Sequence, residues 1–223
     1  MAYGTQITNA DGTVWLNYDL TPLNMVQRID ATITTGTTGQ VYQTNVPYGR
    51  PFMHFARMSV DGTGIGTVTT NSNGYWAIQI NASRNSAGTA QAVAIRFYIF
   101  SNFVTNTSAY GINYYDGSGN LTWTAEMRPL QLYSGTVSAT ATQGTSIGAG
   151  FPCAVCPSFC SYWLALYQPG TPSYYLFMSG AWKAYGNTIQ SFVVDSLQTT
   201  SSAGSQTWSG GNYYYIDTIL YDY

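Results

Sequence analysis

Three cysteines fall within eight residues, Cys153, Cys156 and Cys160, and their C-x2-C-x3-C spacing is the sharpest chemical signal in the chain. Three thiolates at that spacing can converge on zinc or an iron–sulfur cluster. Such centres take four ligands, so the fourth would come from His54, a neighbouring subunit or an outside group. A disulfide between two of the three in an oxidising medium is a second reading. The third, which the neighbours Phe151, Phe159, Tyr162 and Trp163 favour, is that cysteine serves here as a compact hydrophobe. All three stay open on sequence alone.

The remaining candidates are weaker. His54 is the single histidine of the chain and sits in the apolar run Phe52-Met53-His54-Phe55. One histidine rules against multi-histidine metal sites and leaves little for a triad, and its setting predicts a core or interface residue. Gly144-Thr145-Ser146-Ile147-Gly148 matches the nucleophile-elbow pattern in form. That elbow needs a strand-to-helix turn with an acid and then a histidine downstream, whereas His54 precedes it. Asp116-Gly117-Ser118-Gly119-Asn120 offers oxygens at alternate positions, but a calcium loop needs several carboxylates and only Asp116 is charged; a turn is expected. No pair among the nine acids is nominated for glycoside hydrolysis. The chain is therefore expected to be no enzyme, with no catalytic, cofactor-binding or metal-ligating residues. Trp76, Trp123, Trp163, Trp182 and Trp208, beside Asn and Tyr, are candidates for sugar-stacking platforms. Trp76 and Trp163 read as core, and Trp208, inside Ser205–Asn212, as the exposed one.

The elements that must hold these residues are strands. Charged residues make up 7% of the 223 residues, with one lysine (Lys183) and one glutamate (Glu126). Those two types normally clothe the exposed faces of helices; Thr, Ser, Asn, Gly and Tyr replace them, the alphabet of strands and turns. Apolar or aromatic runs at Val14–Leu16, Tyr75–Ile80, Val93–Phe100, Leu130–Tyr133, Tyr162–Tyr167, Phe192–Val194 and Tyr213–Tyr221 alternate with turn signals. Those signals fall at Asp11-Gly12, Asn45–Gly49, Asp61–Gly66, Asn71–Gly74, Asp116–Asn120, Gln143–Gly150 and Ser209–Asn212. This spacing predicts an all-β sandwich or barrel. A formal net charge of −2 with six scattered arginines argues against a nucleic-acid partner. Low charge repulsion and 16% aromatic residues point to permanent assembly, a homo-oligomer or a larger complex. No stretch reaches the length of a membrane span. The start Met-Ala-Tyr-Gly-Thr-Gln has no signal-peptide character, so synthesis in a host cytoplasm is expected.

An internal repeat organises the chain. At an offset of 107 residues, Tyr3–Leu23 aligns without a gap on Tyr110–Leu130, matching Tyr3/Tyr110, Gly4/Gly111, Gly12/Gly119, Pro22/Pro129 and Leu23/Leu130. Each segment reads as a strand, a tight glycine turn, a second strand and a proline that ends the ladder. Two tandem β-sandwich-like domains, 1–107 and 108–223, are expected, each closing on an aromatic strand.

The segment Tyr110–Leu132 (YGINYYDGSGNLTWTAEMRPLQL) resembles the opening of small tail proteins of tailed bacteriophages. There a Tyr-Gly-Leu hairpin with an Asn/Asp and a Gly in its turn is followed by a charged-Pro-aliphatic step. Tyr3–Leu23 carries the same pattern, two residues after the first Met. The resemblance rests on these two segments and implies a structural virion protein of the tail tip, fibre or baseplate. Such a protein would bridge other tail proteins in a multi-subunit assembly or present a surface to the host. It carries over no catalytic residue, and one hairpin per protein is the expectation it departs from. The alternative is a carbohydrate-binding or receptor-binding adhesin that stacks a host glycan on exposed aromatics.

Overall fold

The computed structural model describes residues 6–8, 10–12, 14–17, 21–85, 89–105, 111–137, 146–168, 174–199 and 211–222. Side-chain surroundings are described for 10–12, 21–84, 89–105, 111–137, 146–158, 180–192 and 212–222. Among these residues the chain is built from antiparallel strands and one short 3₁₀ turn. β1 (Gln6–Thr8) and β2 (Val14–Asn17) form a hairpin. β3 (Asn24–Thr34), β4 (Val41–Pro47), β5 (Met53–Met58), β6 (Thr63–Ser72), β7 (Tyr75–Asn85) and β8 (Ala92–Ser101) follow. A second hairpin, β9 (Asn113–Tyr115) and β10 (Leu121–Thr124), opens the other half. After it come β11 (Tyr133–Val137), β12 (Ser146–Gly148), β13 (Cys153–Val155), β14 (Phe159–Gln168), β15 (Tyr174–Tyr185), β16 (Thr188–Thr199) and β17 (Gly211–Asp217), and the 3₁₀ turn spans Thr218–Leu220.

One six-stranded sheet, ordered β11-β17-β13-β5-β8-β3, forms the backbone of the molecule. A single row crosses all six strands: Ile29, Phe97, Ala56, Val155, Tyr215, Tyr133. Outward from the central β5–β13 pair, the order is β8 then β3 on one side and β17 then β11 on the other. Against one face of this sheet lie two smaller ones, β4-β7-β6 and β12-β16-β15-β14. The first packs Val46, Ile65, Ile78 and Ile80 onto Ile33, Ala56, Ile95, Phe97 and Ile99. The second packs Trp182, Ala184 and Ile189 onto Val137, Cys153, Val155 and Tyr213. The result is a sandwich in each half, the two sharing one continuous sheet.

Strand β8 shows how its residues select that position. Val93, Ile95 and Phe97 are buried while Ala92 and Ala94 are exposed, the period-2 pattern of a half-covered strand. From Phe97 to Ser101 every residue is buried, because the opposite face is also covered there. Phe55, Tyr98, Phe100, Ala154 and Ile216 form that outer cluster, and Tyr221 caps it.

The hairpins obey their turn residues. β9–β10 lies 107 residues beyond β1–β2 at every end, Gln6/Asn113, Thr8/Tyr115, Val14/Leu121 and Asn17/Thr124, and Gly12 and Gly119 share φ +83°. The segments that leave the two hairpins then pair with each other: Asn24 bridges Pro129, and Leu130 N–H donates to the Leu23 carbonyl at 2.8 Å. The strand order of the first half returns in the second with one added strand, β14.

Several expectations from sequence shift. Leu130–Tyr133 is mostly irregular, with β11 starting only at Tyr133; Asp61–Gly66 and Gln143–Gly150 hold the starts of β6 and β12; and Tyr213–Tyr221 breaks after Asp217 into the 3₁₀ turn. There Asp217 accepts a hydrogen bond from Ile219 N–H and ends the strand.

Candidate functional site

The cysteine cluster does not assemble as a centre among the described residues. Period-2 alternation along β13 puts Cys153 and Val155 on the sandwich side. Ala154, and Cys156 just beyond it, belong to the outer cluster on the other face of the sheet. The two are free thiols. Burial pushes the Cys153 thiol up to about 12, and burial also raises Cys156 against hydrogen bonds from Ser158. Thiols raised in this way are poor thiolate ligands and poor nucleophiles. The side chain of Cys160, with those of Phe159, Tyr162 and Trp163, lies outside the described residues.

His54 is a core residue. It is 7% exposed, its Nε2 lies 2.9 Å from Thr67 Oγ1, and Phe52 and Phe97 flank its ring. Burial lowers it to about 4, so at neutral pH it is an uncharged hydrogen-bonding wedge between β5 and β6. Ser146 opens the edge strand β12, opposite Gln190, rather than a strand-to-helix elbow. Asp116 does what its turn requires: it accepts from Ser118 N at 2.9 Å, Asn120 N at 2.8 Å and Asn120 Nδ2 at 2.8 Å. Those bonds, led by the Asn120 amide, hold its carboxyl below the usual range.

Two charged groupings were not singled out from sequence. Lys183, the lone lysine, is 3% exposed within the buried run Ala181–Ala184, where its ammonium donates to Asp61 at 2.8 Å and lies 4.5 Å from the Phe192 ring. Asp61, 70% exposed, is held low chiefly by that bond. The pair ties the β5–β6 turn of the first half to β15 of the second. Its neighbours Ser146, Tyr185, Thr188 and Gln190 line a cleft of about 270 Å³ with it. The sequence did carry a signal here, a single lysine inside Ala-Trp-Lys-Ala-Tyr.

The other grouping lies on the outer face of the large sheet. Asp222 accepts from Arg96 at 2.8 Å and Tyr98 Oη at 2.7 Å and pairs with Arg57 at 3.0 Å. Arg96 also chelates Asp30, and Arg57 donates to Thr218. Burial pushes the Asp222 carboxyl up, but the bonds from Tyr98 and Arg96 and the two guanidinium charges together hold it low. This network fastens the last described residues onto β5 and β8.

The aromatics divide. Trp182 is core, 5.1 Å from Tyr213. Trp123 is half-buried against Tyr114. Trp76 closes one open end of the first sandwich: Phe52 stacks on it at 5.6 Å, Tyr48 tilts over it at 4.4 Å, and its indole N–H donates to the Arg50 carbonyl at 2.9 Å. Tyr48 is 52% exposed, while Phe52 and Trp76 are half-buried against the core beneath it. Trp208 lies outside the described residues. No helix among the described residues is long and apolar enough to cross a membrane. Comparison of the chain with protein-family models, with curated proteins and with solved structures finds no match.

Proposed function

We propose that this chain is a structural protein of a bacteriophage tail, placed at the tip, fibre or baseplate, and that it works by packing against neighbours rather than by catalysis. One observation carries the reading furthest: its reactive groups serve the fold, while its uncharged surface is left outside. His54 and Cys153 are buried in the sandwich, Lys183 is buried and paired with Asp61, and Asp222 is paired with Arg57 and Arg96 on the outer face of the large sheet. Meanwhile Val41 and Val68, flanking Gln79 in one row of the β4-β7-β6 sheet, stay 50% and 38% exposed, and Tyr75, at the other end of β7's pairing with β4, is 41% exposed. Exposed aliphatic and tyrosine area with little charge suits contact with other protein subunits. The hairpins β1–β2 and β9–β10, whose sequences resemble phage tail proteins, support the placement. We further propose that the chain holds two copies of one β unit, 1–107 and 108–223, which the recurring strand order supports.

Immunogold electron microscopy of a lysate with antibody against the chain tests the tail role. Gold at the distal tail is expected; gold missing from every particle, with the protein free in solution, overturns it. A second reading, a receptor-binding adhesin, is favoured by the exposed Tyr48 ring set over half-buried Trp76 and Phe52.

A further inference from the structure

Beside that aromatic trio a cleft of about 520 Å³ opens where four segments of the chain converge. Its lining is mainly polar: Arg50 from the β4–β5 loop, Asn102 from the strap after β8, Thr21 before β3, and Asp116, Asn120 and Thr122 from the β9–β10 hairpin. Phe103 adds an apolar wall. The volume is that of a small-molecule site, but such sites are usually lined by apolar groups. A polar lining calls for a ligand that is itself rich in hydrogen-bonding groups.

The walls are fixed, and among the described residues two of their polar side chains, Arg50 and Asn102, are left without partners. Trp76 donates to the Arg50 carbonyl at 2.9 Å, and Ser101 Oγ donates to the Pro51 carbonyl at 2.6 Å. Asn24 Nδ2 donates to the Ser101 and Phe103 carbonyls, both at 3.1 Å. Asp116 closes its own turn as described: Oδ1 accepts from both Ser118 N and Asn120 N, while Oδ2 accepts only from Asn120 Nδ2 and keeps a lone pair for a further donor. Among the described residues neither the Arg50 guanidinium nor the Asn102 amide has a partner. Asn102 Oδ1 is shut from solvent without a hydrogen bond, as are Asn113 Oδ1 and Trp123 Nε1 on the same hairpin. A buried polar atom left unpaired costs about 1–3 kcal/mol and calls for a reason. Among the described residues, Asn102 is in the cleft lining, and Asn113 and Trp123 lie on the hairpin that supplies one of its walls.

From this arrangement we infer that the cleft binds a saccharide unit. Asp116 and Asn120 accept and donate to vicinal hydroxyls, the Asn102 amide turns to meet a third, and Phe103 contacts the C–H face of the ring. The Arg50 guanidinium favours a sugar that carries a carboxylate. The inference rests on the adhesin reading for its setting and locates that reading in a cleft next to the aromatic trio.

The test is a glycan array of neutral and uronic-acid oligosaccharides probed with the full chain, followed by calorimetry on any hit. Arg50→Ala and Asn102→Ala are each expected to weaken binding at least tenfold. Removing the unpaired Asn102 amide should leave the melting temperature unchanged or raised, which separates recognition from a structural role. Tyr214→Ala, exposed on β17, serves as the control that binds as wild type. Binding that survives both cleft variants within twofold but is lost in Tyr48→Ala keeps the adhesin reading and overturns the cleft. No binding to any glycan overturns both and leaves the tail proposal standing.

Discussion

Single residues in this fold are set by what surrounds them, and two give sharp expectations. The unfolded chain protonates His54 near the ordinary 6.5, whereas the folded chain does so only near 4. Its contribution to stability is therefore complete above about pH 6.5 and drains as pH falls through that window. At about 1.4 kcal/mol per pH unit the loss is about 3 kcal/mol by pH 4. His54→Gln keeps a hydrogen-bonding amide but cannot titrate, so urea melts of the variant at pH 7 and pH 4 should lack that part of the acid loss. Gly135 is the second case. A methyl group built on it would fall inside the phenol ring of Tyr213, which lies over β11. Gly135→Ala should cost about 1–3 kcal/mol by overpacking, read by thermal denaturation, and Tyr213→Leu should relieve part of it. Neither expectation is visible in the sequence. An apolar run announces that His54 is buried, but only the β5–β6 approach supplies Thr67, and nothing local to Gly135 names Tyr213.

At the scale of elements, turn chemistry carries the design. Asn73 and Gly74 join β6 to β7 with φ +53° and +83°, the pair of positive values a type I′ hairpin demands. A methyl at Gly74 meets nothing within 4 Å, so Gly74→Ala reports backbone strain alone. It should cost about 1–2 kcal/mol, lowering the melting temperature by about 2–8 °C. The β15–β16 hairpin uses Gly186 at φ +55° followed by Asn187, the order of a type II′ turn. Both hairpins carry a bulge seven residues after the turn, with Asn81 of β7 and Val194 of β16 as the residues left out of the register. The first of these turns was legible in the sequence as Asn71–Gly74, whereas the Gly186-Asn187 turn was not singled out there. Long strands were harder to read. β3 carries Arg28 and Asp30 and β6 is dominated by Thr and Gly, so neither announces itself by apolar alternation. Their pairing partners across the sheet decide them. The match between halves fades after the hairpins for a related reason. The separation of residues in equivalent places changes from 107 at Asn17/Thr124 to 99 at Ala56/Val155 and 118 at Phe97/Tyr215, so no ungapped alignment can follow it.

The whole molecule is held by contacts between distant parts of the chain. Tyr221 is 1% exposed, packs edge-on to Phe100 at 5.1 Å, donates to the Pro129 carbonyl at 2.9 Å and accepts from Gln131 N–H at 2.9 Å. Tyr221→Phe keeps the packing but strands both backbone groups, and should cost about 1–3 kcal/mol in chemical denaturation. Asp222→Asn should shed the charge pairing with Arg57 and Arg96 and lessen the loss of stability as pH falls below about 4, because the carboxyl is held low in the folded state alone. The two halves meet through β5–β13, through Lys183–Asp61, and through Thr67 N–H donating to the Pro157 carbonyl at 3.2 Å. Fragments 1–107 and 108–223, expressed together, should copurify as a one-to-one complex, whereas either alone should self-associate through its bared β5 or β13 edge. A monomeric, folded half on a sizing column would show that the shared sheet is dispensable.

By itself the sequence determined the all-β class, the two hairpins at their spacing, the burial of His54 and the turn at Asp116. Each follows from residue type and near neighbours: too few helix formers, glycine where φ is positive, an apolar run around one imidazole. Tertiary structure alone decided that the halves share a sheet, that the lone lysine is a buried tie between them, and that Cys153 and Cys156 face opposite ways. It also decided that Arg50, Asn102 and Asp116, far apart along the chain, line one cleft. Those outcomes depend on strand order and register, which are set by the summed burial of many side chains, and no short stretch of sequence contains that sum.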